Sequence, residues 1–231
     1  MIDVRRAGDR FTTGADGITT RHSFSFGTHY DPGNVGFAVL VAHNDELLAP
    51  RTGFAEHPHR DLEIVTWVLD GALRHEDSHG HTGVVHPGQV QRLSAGSGVR
   101  HTERADEART RFVQMWLRPD DAGRPPSYAQ RDVAADLADG DLVPVASGDP
   151  GVAAVVRVRT GGAVLSVARL TPGGSVELPD APHVHVFVAR GSVEVEQAGP
   201  LTDADALRLT DDGPRRATAT SDAELLVWSM P

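Results

Sequence analysis

Two short segments of the chain carry metal-binding side chains at alternate positions. His57 and His59 stand just before a predicted strand, and His101 and Glu103 follow a glycine-rich turn at residues 94–98. On extended backbone, residues i and i+2 project from the same face, so each pair can reach one ion. Three imidazoles and a carboxylate suit iron(II), manganese, cobalt, nickel, copper or catalytic zinc, and they leave coordination positions open. Spacing alone leaves two alternatives, a metal site or surface histidines near the rim of a barrel.

Four other histidines lie between these two segments. His79 and His81 stand in a stretch of turn residues, so we expect them in a solvated loop. His75 and His86 flank that stretch on either side, and we place them in the same exposed region. None of the four is a predicted ligand.

The pair His183 and His185 lies in the second half of the chain, where a weak internal repeat allows a comparison. Each half contains a strand, a tight turn and a second strand, and the turn glycines Gly71 and Gly191 align the halves. In this alignment His183 falls opposite Glu63 rather than opposite a histidine, and no histidine follows position 185. A second metal site is therefore not expected there.

The composition excludes several kinds of chemistry. The 231 residues include no Cys, which excludes disulfides, thiolate zinc sites, iron–sulfur clusters and a cysteine nucleophile. They also include no Lys, so all 22 basic residues are Arg and Schiff-base chemistry is excluded. The formal net charge of −10 argues against direct nucleic-acid binding. No apolar run approaches the roughly 20 residues of a membrane helix, and residues 1–6 do not begin an export signal, so we expect a cytoplasmic protein.

The apolar segments are short and separated by turn residues, which is typical of an all-β sandwich or barrel. Asp70-Gly71 lies between two of them and is a strong hairpin signal. Only residues 127–139 have a helical pattern. Strands are predicted at residues 35–42, 62–69, 111–117, 153–159, 163–170, 184–189, 192–197 and 223–228.

A proline- and glycine-rich stretch at 125–150 indicates the boundary between two domains. We predict an N-terminal metal-binding barrel over residues 1–130 and a linker over 131–147. The remaining residues, 148–231, are predicted to form a C-terminal barrel without metal.

Residues 20–130 resemble the pirin family of the cupin superfamily, in particular its bacterial members. The matching segments are 22–26 (HSFSF), 30–32 (YDP), 53–71 (GFAEHPHRDLEIVTWVLDG), 75–78 (HEDS), 87–88 (PG), 94–103 (SAGSGVRHTE), 114–116 (QMW) and Tyr128-x-Gln130. Beyond residue 145 only the general pattern of strands and turns persists. The resemblance implies an all-β fold of two consecutive cupin (jelly-roll) barrels, with metal in the first one only.

The same resemblance implies a ligand set. His57, His59, His101 and Glu103 are expected to bind one metal ion, most often iron(II) in this family. Glu63 occupies the position of the usual cupin glutamate, but in pirin-like proteins the ligand role falls to the residue that matches Glu103. Glu63 is therefore expected to pack or hydrogen-bond beside the site.

Bacterial pirin-like proteins are associated with quercetin 2,3-dioxygenase activity, so the resemblance implies a flavonol and O2 as substrates. Glu103 is then the candidate base for the flavonol hydroxyl proton. The alternative is a metal- and redox-responsive regulatory protein that binds a transcription factor or a metabolic enzyme, as other pirins are described. Under either hypothesis we expect a monomer that contacts neither nucleic acid nor membrane.

Overall fold

The computed structural model describes the whole chain, residues 1–231, and is nearly all-β, with one short 3-10 helix at Ala7–Asp9. None of its helical residues forms a segment with the length and apolar character needed to cross a bilayer. The strands are β1 (Ile2–Arg5), β2 (Phe11–Ala15), β3 (Ile18–His22), β4 (Leu40–Leu48), β5 (Gly53–His59), β6 (Glu63–Asp70), β7 (Leu73–Asp77), β8 (Thr82–Val85), β9 (Gln89–Ser94), β10 (Val99–Ala105), β11 (Thr110–Leu117), β12 (Ser127–Asp132), β13 (Val143–Ser147), β14 (Val156–Arg157), β15 (Val164–Leu170), β16 (Ser175–Glu177), β17 (His183–Arg190), β18 (Ser192–Val195), β19 (Gly199–Thr202), β20 (Ala206–Thr210), β21 (Arg216–Ala219) and β22 (Ala223–Met230).

The strands form two barrels, each made of a seven-stranded and a four-stranded sheet. In the first barrel the order is β12-β9-β6-β11-β4-β3-β2 in the larger sheet and β5-β10-β7-β8 in the smaller one. In the second barrel the orders are β1-β20-β17-β22-β15-β13-β14 and β16-β21-β18-β19. The prediction of an all-β fold with two jelly-roll barrels is confirmed.

The two large sheets also pack against each other and join the barrels. A cluster of 25 buried hydrophobic residues lies between them, including Trp67 and Met115 of the first barrel and Phe187 and Trp228 of the second. Trp228 Nε1 donates to the sulfur of Met115 at 3.1 Å. The molecule is thus layered as small sheet, large sheet, large sheet, small sheet.

This layering explains why some strands are buried at nearly every position whereas others are buried at alternate positions. Strand β6 belongs to an inner sheet covered on both faces, and seven of its eight residues are buried. Strand β10 belongs to an outer sheet, so its burial alternates and only Val99, His101, Glu103 and Ala105 are fully buried. The metal-ligand candidates on β10 therefore point into the first barrel.

The hairpin prediction at Asp70-Gly71 is wrong. Strand β6 pairs with β9 and β11, whereas β7 pairs with β8 and β10 in the other sheet, so the turn carries the chain from one sheet to the other. Gly71 has a φ of +74°, and a Cβ there would lie 2.5 Å from the Arg109 carbonyl oxygen. The same crossing recurs at Gly191 between β17 and β18.

The helix prediction at 127–139 is also wrong. Residues Ser127–Asp132 form edge strand β12, which pairs with β9, and residues 134–139 form turns. Pairing with β9 satisfies the backbone groups on one edge of this segment, and Tyr128 donates from its hydroxyl to Gln130 Oε1 at 2.9 Å on the same strand face. Tertiary pairing therefore overrides the local helical pattern.

The sheet pairings add detail to the predicted domains at 1–130, 131–147 and 148–231. Strand β1 starts the chain but pairs with β20 of the second barrel. Strand β13 lies within the predicted linker and pairs with β15 of the second barrel. The first residues of the chain and the end of the linker thus both contribute to the second barrel's large sheet.

Candidate metal centre

Two neighbouring strands of the outer sheet, β5 and β10, bring the candidate ligands together. They run antiparallel, with His101 opposite His57 and Val99 opposite His59. A β-bulge lies between His101 and Glu103, where an irregular register turns side chains relative to the strand. Alternation along each strand and pairing between them therefore place all three histidines on the inner face.

The three imidazoles converge. One ring nitrogen from each of His57, His59 and His101 lies within 4.8 Å of the others. The Nε2 atoms of His57 and His101 are 3.0 Å apart, and Nε2 of His59 is buried without any hydrogen-bond partner. His57 Nδ1 donates to the Ala55 carbonyl oxygen at 2.8 Å, so its Nε2 carries the lone pair that faces the cluster.

Electrostatics keep the inner imidazoles neutral. Burial and the neighbouring histidines lower the pKa of both His59 and His101 to about 3. The Nε2 atoms of His57 and His101, 3.0 Å apart, have the spacing of two nitrogen ligands ~2.1 Å from one ion. Neutral, unpartnered imidazole nitrogens are the donors that divalent transition metals prefer, so the residues present fit a metal ion.

Glu103 lies next to the three histidines, but its carboxylate is hydrogen-bonded to Gln114. It forms a second group with His101 and His75, whose ligand atoms lie within 4.8 Å of one another. Gln114 Nε2 donates to both carboxylate oxygens, at 2.9 and 2.8 Å, and burial raises the pKa of Glu103. His101 belongs to both groups, so it connects Glu103 to the cluster of three histidines.

His75 was expected in an exposed region, and that expectation is wrong. Its side chain is fully buried, its Nδ1 lies 3.3 Å from His101 Nδ1, and its ring stacks on Tyr128. The sequence contains a signal for this position, because Leu73, His75 and Asp77 alternate with exposed residues along β7. Period-two burial places His75 on the same inner face as the ligand candidates.

A cavity of about 420 Å³ opens beside the histidine cluster. Its wall includes the metal-site candidates His57 and Glu103 together with Gln114, and aromatic rings cover part of it. The remaining lining residues are Thr13, Thr20, His22, Phe26, Gly27, Thr28, Asn44, Glu46, Phe54 and Trp116. Trp116 is fixed by its Nε1, which donates to Gln114 Oε1 at 2.9 Å, and its ring contacts His59 edge-on. The cavity therefore combines flat apolar surfaces with several hydrogen-bonding groups.

Glu63 lies outside this cavity. Its buried carboxylate accepts from Ser94 Oγ at 2.8 Å and from the Arg159 backbone N–H at 3.2 Å. Since Arg159 belongs to the second half of the chain, Glu63 hydrogen-bonds across the junction of the barrels.

Five further histidines lie outside the cluster of His57, His59 and His101. His79 and His86 are exposed and His81 is partly exposed, in the turn regions predicted for them. His183 lies beside Pro231, and its Nδ1 donates to the Pro231 carbonyl oxygen at 2.8 Å. His185 is fully buried between the barrels, and neither of its ring nitrogens has a hydrogen-bond partner.

Comparison with known proteins gives a consistent family. The family model described as Pirin matches residues 4–117. A Mycobacterium tuberculosis protein (strain H37Rv), provisionally named quercetin 2,3-dioxygenase Rv0181c, is 48% identical over 99% of this chain and 95% of its own length. The quercetin 2,3-dioxygenase of Escherichia coli K12 is 32% identical over 100% and 99%.

Solved structures agree with these sequence matches. The crystal structure of YhhW from Escherichia coli superposes with a TM-score of 0.91 and 31% identity, over 100% of this chain and 98% of that one. A second structure is bacterial pirin YhhW in complex with nickel(II), with a TM-score of 0.88, 30% identity and coverage of 100% and 99%. With relatives this similar along its whole length, the chain belongs to the pirin family.

Proposed function

We propose that this chain is a metal-dependent dioxygenase that cleaves the heterocyclic ring of a flavonol such as quercetin, with release of carbon monoxide and a depside. The single observation that carries the proposal is the convergence of three imidazoles beside an aromatic-lined cavity, with His57 and Glu103 on the cavity wall. The names of the Escherichia coli and mycobacterial relatives support the same reaction.

The proposed ligands are His57, His59, His101 and Glu103, and the proposed metal is iron(II). The nickel(II) complex of the Escherichia coli pirin supports a divalent ion in this family. Glu103 would complete the set by turning one oxygen from Gln114 towards the histidines. When bound, the metal supplies a Lewis acid that lowers the pKa of the flavonol hydroxyl and a redox partner for O2.

The cavity suits a flat, hydroxylated aromatic substrate. Its volume of about 420 Å³ lies in the range typical of small-molecule sites. Phe26, Phe54 and Trp116 offer ring surfaces for stacking. Thr20 and Asn44 lie on the same wall and can hydrogen-bond the hydroxyl groups of a polyphenol. These contacts orient the substrate and exclude water from the reacting ring.

Glu103 is the proposed base. Its carboxylate is 1% exposed, and burial raises its pKa, so it binds a proton more readily than a surface glutamate does. The Glu103 oxygen that Gln114 does not hold would shift from ligand to base and accept the proton of the flavonol 3-hydroxyl, while Gln114 continues to donate to the other oxygen. Gln114 thus holds the carboxylate in place before and after proton transfer.

The test begins with anaerobic loading of the protein with iron(II). Quercetin and O2 are then added, and the loss of flavonol absorbance and the release of carbon monoxide are measured. We expect turnover that requires both metal and O2. In His101→Ala, metal retention and turnover should both be lost, whereas the exposed control His86→Ala should retain both. A fully metal-loaded protein that leaves quercetin intact would rule out the proposed substrate.

A further inference from the structure

A second cavity, of about 350 Å³, lies where the N-terminal segment crosses between the two barrels. Its walls come from residues 3–11, from residues 22–34 of the first barrel, and from Ala206 and Arg208 on β20 of the second. His22 lines this cavity and the one beside the metal centre. The proposed function uses neither this cavity nor its arginines.

Arg208 is the first notable group on its wall. Its side chain is 6% exposed, yet its nearest carboxylate oxygen, on Asp3, lies 3.9 Å away. Nη2 donates to the Ser23 carbonyl oxygen at 3.2 Å and to Asn34 Oδ1 at 3.0 Å, whereas Nε is buried and has no partner. The guanidinium lies over the ring of Phe24, 4.6 Å from its centroid.

Arg10, in the N-terminal segment, lies on the wall of the same cavity as Arg208. Its Nη2 donates to Ser23 Oγ at 2.9 Å and to the Arg21 carbonyl oxygen at 3.0 Å, and its Nε is also buried without a partner. Arg10 forms no ion pair with any carboxylate. Two guanidinium groups therefore meet at Ser23, and their hydrogen bonds go to neutral oxygen atoms only.

This arrangement is electrostatically costly for the chain alone. Burial lowers the pKa of both Arg10 and Arg208 to about 10, and the nearby carboxylates of Asp45 and Asp3 offset only part of that effect. A buried cation without a paired anion is destabilising, and a hydrogen bond to a charged partner is about twice as strong as a neutral one. A bound anion would offset that cost.

The other lining groups restrict which anion fits. Phe11 and Phe24 contribute aromatic surface, so the wall is not that of a purely inorganic ion site. Three carboxylates, on Asp3, Asp9 and Asp31, also line the cavity and repel a multiply charged ligand. A single negative charge on an apolar body matches both features.

We propose that this cavity binds a small aromatic monocarboxylate, with its carboxylate between Arg10 and Arg208 and its ring against Phe11 and Phe24. The site is separate from the metal centre and does not depend on the proposed dioxygenase activity. Arg10 and Arg208 both line the cavity, and none of their hydrogen bonds goes to a carboxylate.

The first experiment titrates the metal-loaded protein with benzoate by isothermal calorimetry. We expect saturable binding of benzoate, no binding of neutral benzamide, and at least tenfold weaker binding of inorganic phosphate. Because a carboxylate can also bind a metal ion, the titration is repeated with His101→Ala, and benzoate affinity should be unchanged. Equal binding of benzamide or phosphate, or loss of benzoate binding in His101→Ala, would overturn the proposal.

Variants then locate the site. Arg208→Gln and Arg10→Gln should each weaken benzoate binding about tenfold or more, because each removes a charged donor. The exposed control Arg131→Gln should bind as the parent does. If the arginine variants fail to fold, Asn34→Asp tests the same site. It keeps both arginines and places a carboxylate next to Arg208 Nη2, where it would compete with the carboxylate of benzoate. This variant should fold and lose benzoate binding, and unchanged binding in it would contradict the assignment.

Discussion

The Nδ1 atoms of His101 and His75 lie 3.3 Å apart, in the interior of the first barrel. His75 Nε2 lies 3.4 Å from Asp77 Oδ2, an acceptor, so the proton of neutral His75 belongs on Nε2. His75 Nδ1 then accepts from His101 Nδ1–H, which leaves the lone pair of His101 on Nε2, towards His57. The chain from Asp77 through His75 thus selects the His101 tautomer that can bind a metal.

We predict that His75→Leu weakens metal binding about 10- to 100-fold, because it leaves the Nδ1 proton of His101 without an acceptor. The measurement is a competition titration with a chromophoric chelator. His79→Leu, at an exposed position in the following turn, is the matched control and should bind metal like the parent. Equal affinities in the two variants would show that His75 does not position His101.

A second prediction concerns the bidentate contact of Gln114 with Glu103. Gln114→Leu removes the donor to both oxygens of a buried carboxylate, so we expect it to lower the unfolding free energy of the metal-free protein by about 1–3 kcal/mol. In the background Glu103→Gln the buried charge is absent, and the same substitution should cost less. Urea unfolding of the four proteins gives the coupling energy. Additive costs would mean that Gln114 stabilises the barrel independently of Glu103.

The sequence predicted the parts of the site that lie in one chain segment. Alternation within 57–59 and 101–103 suffices to put each pair of candidates on one strand face, and the structure places three of them in one group. What the local pattern could not show is which segments pair. The neighbour of His75 is His101, 26 positions away, and that contact depends on β7 lying beside β10.

The misassigned turn at Gly71 has the same origin. The sequence showed two strands joined by a tight turn, and a hairpin is the commonest structure with that pattern. Here both large sheets are covered on each face. Strand β6 pairs with β9 and β11 of its own large sheet, and the chain then crosses to the outer sheet. The choice between hairpin and crossing is made by packing of the barrels, which no local signal encodes.

A third prediction follows from the burial of His185 between the barrels. Burial lowers the pKa of His185 to about 3. Between pH 6.5 and 3, this imidazole is therefore protonated in the unfolded chain but neutral in the folded chain. The contribution of His185 to stability is therefore complete above pH 6.5 and is lost as the pH falls towards 3, by about 1.4 kcal/mol per pH unit. His185→Phe, among the rings of Phe24, Phe37 and His43, should show a shallower loss between pH 6.5 and 4.

The measurement is urea unfolding of metal-free parent and His185→Phe across that pH range. His79→Phe, at an exposed position, provides the control and should follow the parent. Parallel curves for parent and His185→Phe would contradict the assigned role of His185 in acid sensitivity.

The fourth prediction concerns Glu46, a buried residue on the wall of the cavity beside the metal centre. Its effect on stability has the opposite pH dependence to that of His185. Burial, together with the charges of Glu103 and Asp45, raises its pKa to about 8 despite a hydrogen bond from Thr20. Between pH 4.5 and 8 the folded chain keeps a proton that the unfolded chain releases, so this group's contribution to stability is present at low pH and lost as the pH rises. Glu46→Gln, which is neutral at every pH, should remove that loss.

In urea unfolding of the metal-free protein from pH 5 to 8, Glu46→Gln should gain stability relative to the parent as the pH rises. The exposed control Glu107→Gln should show no such gain, and the same behaviour in both variants would mean that Glu46 is ionised in the folded chain.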